Sequence, residues 1–486
     1  MEWDKSLYHL FIRAEAVYAD RPAMRWYDEE RQTVCIRSYA DFFADIRRMM
    51  AVLREKTGDP VQKHIVILSG NSYAAVVAMM AVLGSGSVAV PLNDRETPDI
   101  LQTAIAETDA ELILSDPAHL ALMRERYGDS VLSLSCYEGV REPADFRPFD
   151  DPERTVCLLG TSGTVSGRKF VELSERNIMT VLRYEEDKIR RGSAMSQAEC
   201  RSVVWTLPLY HISGLAQVLV VQLYFGVCES ICANPRRIDR DSTLAECDST
   251  LTVPALLEMW KKQLTAGMRC GAQSMRFIIY CGSSLSAECR DFYLERGVPL
   301  CVIYGLTESS GVGTGGYLND MHRPDSIGRA AEGTEVKVID GELCIKGPGV
   351  MKGYYKRPGE TAEVLQDGWL HTGDLGHIDE DGFVYLTGRK KNLIILSNGE
   401  NVIPEELETI LQREKAIREV IVKEKNDSIC AEIYADPQDQ EHIRAYVRTV
   451  NRELPLFKHI AGIEFREEPF PRTASGKIRR GAAQDV

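Results

Sequence analysis

The chain has 486 residues, 44% hydrophobic and 27% charged, which is enough apolar material for at least two cores and excludes a disordered chain or a small stapled scaffold. Its formal charge of −14, from 58 basic and 72 acidic side chains, provides no extended basic field and so argues against nucleic acid or an anionic membrane as a partner. Thirteen cysteines without a C-x-x-C pair read as free thiols of a reducing compartment, the cytosol; Met1–Lys5 lacks the layout of a signal peptide, and no apolar run nears the ~20 residues of a membrane span.

From His64 the sequence alternates apolar runs and helical patterns. The predicted order is strand His64–Leu68, helix Tyr73–Leu83, strand Ser87–Leu92, helix Ile100–Glu107 and strand Glu111–Leu114. Such β-α-β-α-β order argues for a parallel sheet covered by helices, with ligands beyond the carboxyl ends of the strands. Gly84-Ser-Gly86 has the letters of a dinucleotide fingerprint but precedes a strand instead of opening a helix, so it reads as a helix stop.

The apolar run Val156–Leu159 leads into Gly160-Thr-Ser-Gly-Thr-Val-Ser-Gly-Arg-Lys169, where glycines allow backbone N–H groups to converge, hydroxyls add donors and a lysine adds charge. This is the chemistry of a phosphate cradle, although it lacks the spacing of the kinase and GTPase P-loop. Further on, Leu207-Pro-Leu-Tyr-His211-Ile-Ser-Gly-Leu215 sets one histidine in an apolar run, with no Asp or Glu between Trp205 and Phe225. Tyr304-Gly-Leu-Thr307-Glu308 follows the run Pro299–Ile303 and should sit at a strand's carboxyl end, offering an aromatic face, a hydroxyl and a carboxylate able to ligate Mg²⁺. Gly368-Trp-Leu-His-Thr-Gly-Asp374 places a carboxylate beside a glycine, where it could accept two ribose hydroxyls. Gly388-Arg389-Lys390-Lys391-Asn392 is a polar break suited to a domain boundary. Beyond it, predicted strands Arg418–Val422 and Ile429–Tyr434 and a helix from Gln440 to Arg452 form a compact α+β unit, and Pro471–Arg480 carries a loop lysine, Lys477. Taken singly, each of these stretches has a plain alternative: a solvent loop, a core histidine, a buried tyrosine before a turn, a turn aspartate, a basic tail.

Their order along the chain resembles the adenylate-forming superfamily of acyl-CoA synthetases, adenylation domains and luciferases, closest to the acyl-CoA synthetase branch. The most specific parts are Thr161–Lys169, Tyr304–Glu308, Gly341–Tyr354, Thr372–Asp374, Gly388–Glu406 and Pro471–Lys477. The resemblance implies an α/β fold: a large amino-terminal domain of parallel and mixed sheets covered by helices, residues 1–389, and a small mobile α+β domain, 390–486. It implies that Thr161, Ser162, Gly163, Thr164 and Lys169 hold the β- and γ-phosphates of ATP, and that Tyr304 stacks on adenine beside Gly282 and Ser283. Thr307 would contact the α-phosphate, Glu308 would bind magnesium, Asp374 and Arg389 would grip the ribose, and His211 would gate the acyl site. Lys391 would be the hinge, and Lys477 would reach the carboxylate and α-phosphate. The phosphate loop departs from the family pattern at Ser166, Arg168, Phe170 and Glu175, which bears on loop geometry and on the tightness of ATP binding.

The implied activity is activation of a carboxylic acid as acyl-AMP, then transfer to the thiol of coenzyme A, in a fatty-acid type of metabolism. The missing carboxylate between Trp205 and Phe225 disfavours an amino acid, whose buried ammonium would need a partner. Alternatives are a stand-alone adenylation enzyme loading the phosphopantetheine arm of a carrier protein, an oxygen-using luciferase, and a non-catalytic nucleotide-binding module.

Overall fold

The computed structural model describes residues 6–161, 168–190, 200–233, 247–268, 270–273, 275–316, 323, 325–397, 400–472, 478 and 480, the side chains of 188–190, 217 and 218 excepted. Its contacts divide the chain into two compact units: Met1–Val336 with Ile345–Leu370, and Lys337–Cys344 with His371–Val486. Residues 337–344 and 371–389 thus cluster with the carboxyl-terminal unit.

In the first unit the predicted alternation is present as strand His64–Leu68, helix Tyr73–Gly84, strand Val88–Leu92, helix Pro98–Glu107 and strand Leu112–Ser115, with the strands in parallel. The helix stops at Gly84 ahead of the next strand, as the order of the Gly84–Gly86 stretch requires. The strands are buried along nearly their whole length because both faces are covered. Side chains alternate between faces: Ile65 and Ile67 enter the core shared with a second sheet, whereas Val66 and Leu68 enter an outer core under the helices Pro98–Glu107 and Pro117–Tyr127. The second sheet repeats the device, with Ile279 and Ile303 facing inward and Ile278 and Leu300 facing outward. Helix Tyr73–Gly84 carries no charged side chain and is buried on all sides, which suits a helix lodged in the shared core; Ser72 caps its first turn through Ala75 N–H at 3.2 Å.

Seven strands of this unit position the site: β1 Thr155–Gly160, β2 Phe170–Ser174, β3 Ser202–Trp205, β4 Ser249–Thr252, β5 Phe277–Cys281, β6 Leu300–Tyr304 and β7 Gly353–Tyr354. β1 and β2 form an antiparallel pair and β7 adds to β2, all in the first sheet. β3, β4, β5 and β6 lie side by side in parallel in the second sheet, so their carboxyl ends share one edge.

The second unit packs the helices Pro404–Leu411 and Gln440–Glu453 on a three-stranded sheet around Val402, Leu407, Val420, Ile433 and Ile443. Its strands Glu419–Glu424, Ile429–Tyr434 and Ile460–Arg466 pair antiparallel and then parallel. Among the described residues no helix is long and apolar enough to cross a membrane.

Candidate active site

The phosphate-cradle candidate is the connection of the β1–β2 hairpin. Gly160 pairs with Phe170, and Thr161 N–H donates to the Lys169 carbonyl at 2.9 Å, closing the loop at its base. Ser162, Gly163, Thr164 and Ser166 lie outside the described residues. Lys169 Nζ stands 2.7 Å from Glu360 and 4.6 Å from the centroid of the Tyr354 ring, a cation over an aromatic face. The Lys169 hydrogen bond leads the effects that hold the Glu360 carboxyl below its ordinary pKa.

The other departures from the family pattern have partners of their own. Arg168 is tied to Glu96 at 2.6 Å, and Phe170 is buried in the outer core. Glu175 is buried against Arg154 at 2.7 Å, accepts the Leu7 N–H at 2.6 Å, and the Arg154 guanidinium rests 4.3 Å from the Phe149 ring.

Tyr304 ends β6, and Thr307–Ser309 form a single tight turn directly after it. The turn returns on itself so closely that a Cβ on Gly305 would meet the Gly311 carbonyl carbon at 2.3 Å, so only glycine fits. Ser309 Oγ accepts the Leu306 N–H at 3.0 Å, and Gly311 N–H donates to the Leu306 carbonyl at 2.8 Å. A brace from residues 348–354 supports the outside of the turn: Met351 N–H donates to the Glu308 carbonyl at 2.9 Å, Ser310 Oγ to the Gly349 carbonyl at 2.8 Å, and the Tyr354 hydroxyl to Glu308 Oε1 at 2.9 Å. Asn177 fixes the brace through the carbonyls of Pro348 and Val350, both at 2.8 Å. Thr307 and Glu308 are half-buried. Lys169 and Glu308, 139 positions apart in sequence, therefore share one neighbour, Tyr354. The individual contribution of Tyr354 is not visible in sequence, where it stands only as the end of Gly341–Tyr354.

Gly282 and Ser283 follow β5 in exposed backbone beside Tyr304, since Cys281 pairs with Ile303. His211 sits past the end of β3 on the same edge, and it is exposed instead of buried in the core. Ser213 N–H approaches His211 Nδ1 at 3.3 Å, and Ser213 Oγ lies 3.9 Å from Cys281 Sγ, bringing the His211 turn to the end of β5. Asn71, after the strand His64–Leu68, donates to the Leu207 carbonyl at 2.9 Å and accepts from Leu209 N–H at 3.1 Å, tying the carboxyl edges of the two sheets together. The following π-helix, Ser213–Val220, directs Leu215, Leu219 and Val220 into the shared core. Tyr210 is half-buried; burial first, and then the nearby Asp94, raise its phenol.

In the second unit, Asp374 and Arg389 face each other across the antiparallel strands β8, Trp369–Ile378, and β9, Val384–Arg389, with Arg389 Nε 2.7 Å from Asp374 Oδ1. Asp374 is 4% exposed. Glu342, missed in the sequence, organises the neighbouring backbone: its carboxylate takes the Gly373 N–H at 2.7 Å, Lys390 at 2.8 Å and His371 at 3.1 Å. Burial raises its pKa, but the hydrogen bonds from Lys390, His371 and Gly373 prevail and hold the carboxyl below its ordinary range. Lys391 is exposed in a short turn, Lys390–Asn392. Lys477 lies outside the described residues; on one side of it Arg472 pairs with Glu419, and on the other Arg480 pairs with Glu408 and, at 3.4 Å, with Glu405.

Among the described residues no group of three or more His, Cys, Asp or Glu side chains forms a cage for a metal. Glu308 by itself fits Mg²⁺ of another kind, one that keeps its waters and arrives on phosphate oxygens, needing one or two protein carboxylates.

The sequence family described as AMP-binding enzyme matches residues 11–355, and the AMP-binding enzyme C-terminal domain matches 391–486. Sulfoacetate–CoA ligase of Cupriavidus necator is 29% identical over 83% of this chain and 83% of its own length. The long-chain-fatty-acid–CoA ligase of Salmonella typhimurium is 27% identical over 99% of this chain and 94% of its own. Among solved structures, o-succinylbenzoate CoA synthetase from Bacillus subtilis, in complex with its acyl-adenylate intermediate, superposes with a TM-score of 0.84 at 23% identity, covering 98% of both chains.

Proposed function

The chain belongs to the AMP-binding enzyme family, and from that premise we propose that it is an ATP-dependent acid–CoA ligase working through an acyl-AMP. The single observation that carries the assignment of this site is the convergence of Lys169, Tyr354 and Glu308 on one edge of the first unit.

A carboxylate is a poor electrophile, so the acid is first activated. One of its oxygens attacks the α-phosphorus of ATP, a P–O bond forms, and the bond to pyrophosphate breaks. Lys169, with the hydroxyls and amides of the preceding loop, holds the outer phosphates and takes up charge on the leaving group. Tyr304, beside Gly282 and Ser283, presents a face to adenine, Thr307 contacts the α-phosphate, and Asp374 with Arg389 receives the ribose. Magnesium, when bound with ATP, lowers the cost of negative charge on the phosphate oxygens, and Glu308 is the carboxylate that would hold it. Lys477 attends the carboxylate and the α-phosphate. In the second step the thiol of coenzyme A attacks the acyl carbonyl, its proton is lost, and AMP leaves. The functional boundary is placed at 389/390, with Lys391 as the pivot that carries Lys477 in and out between steps.

The acid is read as a fatty, aryl or other non-amino acid. Supporting this, no Asp or Glu lies between Trp205 and Phe225 to pair with an ammonium, and the relatives compared above are ligases of a sulfonated and a fatty acid. The acceptor is coenzyme A in preference to a carrier protein, in keeping with those relatives. A cytosolic setting is supported by thirteen cysteines that form no disulfide among the described residues. The test is pyrophosphate exchange across a panel of fatty, aryl and amino acids, followed by transfer to coenzyme A. No acid-dependent exchange with any member would overturn the assignment.

A further inference from the structure

Tyr354 closes the two-residue strand β7, whose pairing with Val171 and Glu172 of β2 sets it beside the root of the phosphate loop. It is 9% exposed, so the ring is held by its surroundings. Two charged groups meet it from different sides: the carboxylate of Glu308 receives its hydroxyl at 2.9 Å, and the ammonium of Lys169 stands over its ring at 4.6 Å.

We propose that Tyr354 is a positioning residue for magnesium–ATP: its hydroxyl fixes the orientation of the Glu308 carboxylate while its ring face fixes Lys169, so that one side chain sets the spacing of the two charges the triphosphate must engage. The inference rests on the reading of Glu308 and Lys169 given above. Its physical basis is preorganisation. Both side chains have several rotatable bonds, and a charged group already in place at binding loses less freedom than one that must be immobilised.

A merely structural tyrosine would be replaced by phenylalanine with no consequence for the metal, because the ring and its packing stay. The test is calorimetric binding of α,β-methylene-ATP over a Mg²⁺ series, for the full chain and for Tyr354→Phe, Glu308→Asp, Glu308→Gln and Lys169→Ala, with thermal melting of each. Tyr354→Phe should weaken the analogue about three- to tenfold at limiting Mg²⁺, the range expected for the net loss of one ordinary hydrogen bond. It should raise the half-saturating Mg²⁺ and leave the KM of the acid unchanged. Glu308→Asp should raise the half-saturating Mg²⁺ through the ligand itself and serves as the control for loss of the metal; if the phenylalanine variant is destabilised, binding measured below its melting transition decides. The double change Tyr354→Phe with Glu308→Gln should bind no more weakly than Glu308→Gln alone. Wild-type magnesium dependence in Tyr354→Phe beside a weakened Glu308→Gln overturns the proposal and leaves the parent reading standing. Wild-type binding by both Glu308→Gln and Lys169→Ala removes the parent reading and the proposal together.

Discussion

On the proposed reading, single side chains set how readily this site takes a triphosphate. Lys169 is engaged by Glu360 at 2.7 Å, and in the role proposed for it a phosphate oxygen would take over from that carboxylate. The pair is partly exposed, so the competition is modest: Glu360→Gln should lower the KM for ATP about two- to fivefold with little change in kcat, as initial rates over an ATP series would read. An unchanged KM would mean that Lys169 leaves Glu360 without cost. Gly305 is the stricter position. Its Cβ-free backbone lies against Gly311, so Gly305→Ala should displace the turn that carries Thr307 and Glu308, costing about 1–3 kcal/mol of stability by overpacking and most of the adenylation rate. Urea unfolding beside pyrophosphate exchange separates the two effects.

Whole elements are held by a few buried charges. At the start of the helix Glu175–Arg190, Glu175 departs from the family pattern, yet Arg154 and the Leu7 N–H satisfy it. Removing one partner of such a pair leaves a buried charge alone, so Arg154→Ala should cost about 3–5 kcal/mol, read as a lower urea midpoint; a loss under 1 kcal/mol would show that water reaches Glu175. In the second unit, burial raises the Glu408 carboxyl on the helix Pro404–Leu411 to about 7 from 4.5, against the opposing pull of Arg480. An acid with a raised folded pKa binds its proton more tightly in the native state. Its contribution to stability is therefore full below pH 4.5 and lost as pH rises through about 7. The expected outcome is a urea midpoint that falls between these values in the wild type and changes less in Glu408→Gln. Parallel profiles would show that Glu408 is ionised in the fold throughout.

At the scale of the molecule, the roles proposed for Lys477 and Lys391 belong to different half-reactions. Lys477→Ala should abolish adenylate formation while largely sparing thioester formation from supplied acyl-AMP, and Lys391→Pro should do the reverse, because proline removes the backbone freedom a pivot needs. Equal loss in both steps for each variant, measured by rapid quench, would end that division of labour.

The sequence by itself determined the strand and helix order from His64 to Ser115, the placement of Tyr304 at a strand's carboxyl end, and the strand Ile429–Tyr434, because strand and helix periodicity are local properties. It also determined the family, because several short motifs in one order specify more than any of them singly. Only the tertiary structure decided which distant groups are neighbours. It put Tyr354 between Lys169 and Glu308, Asn71 between the edges of two sheets, Arg154 against Glu175 and Glu342 under Gly373. The reason is that strand pairing and sheet packing set contacts between residues far apart in the chain, which no local pattern in the sequence encodes.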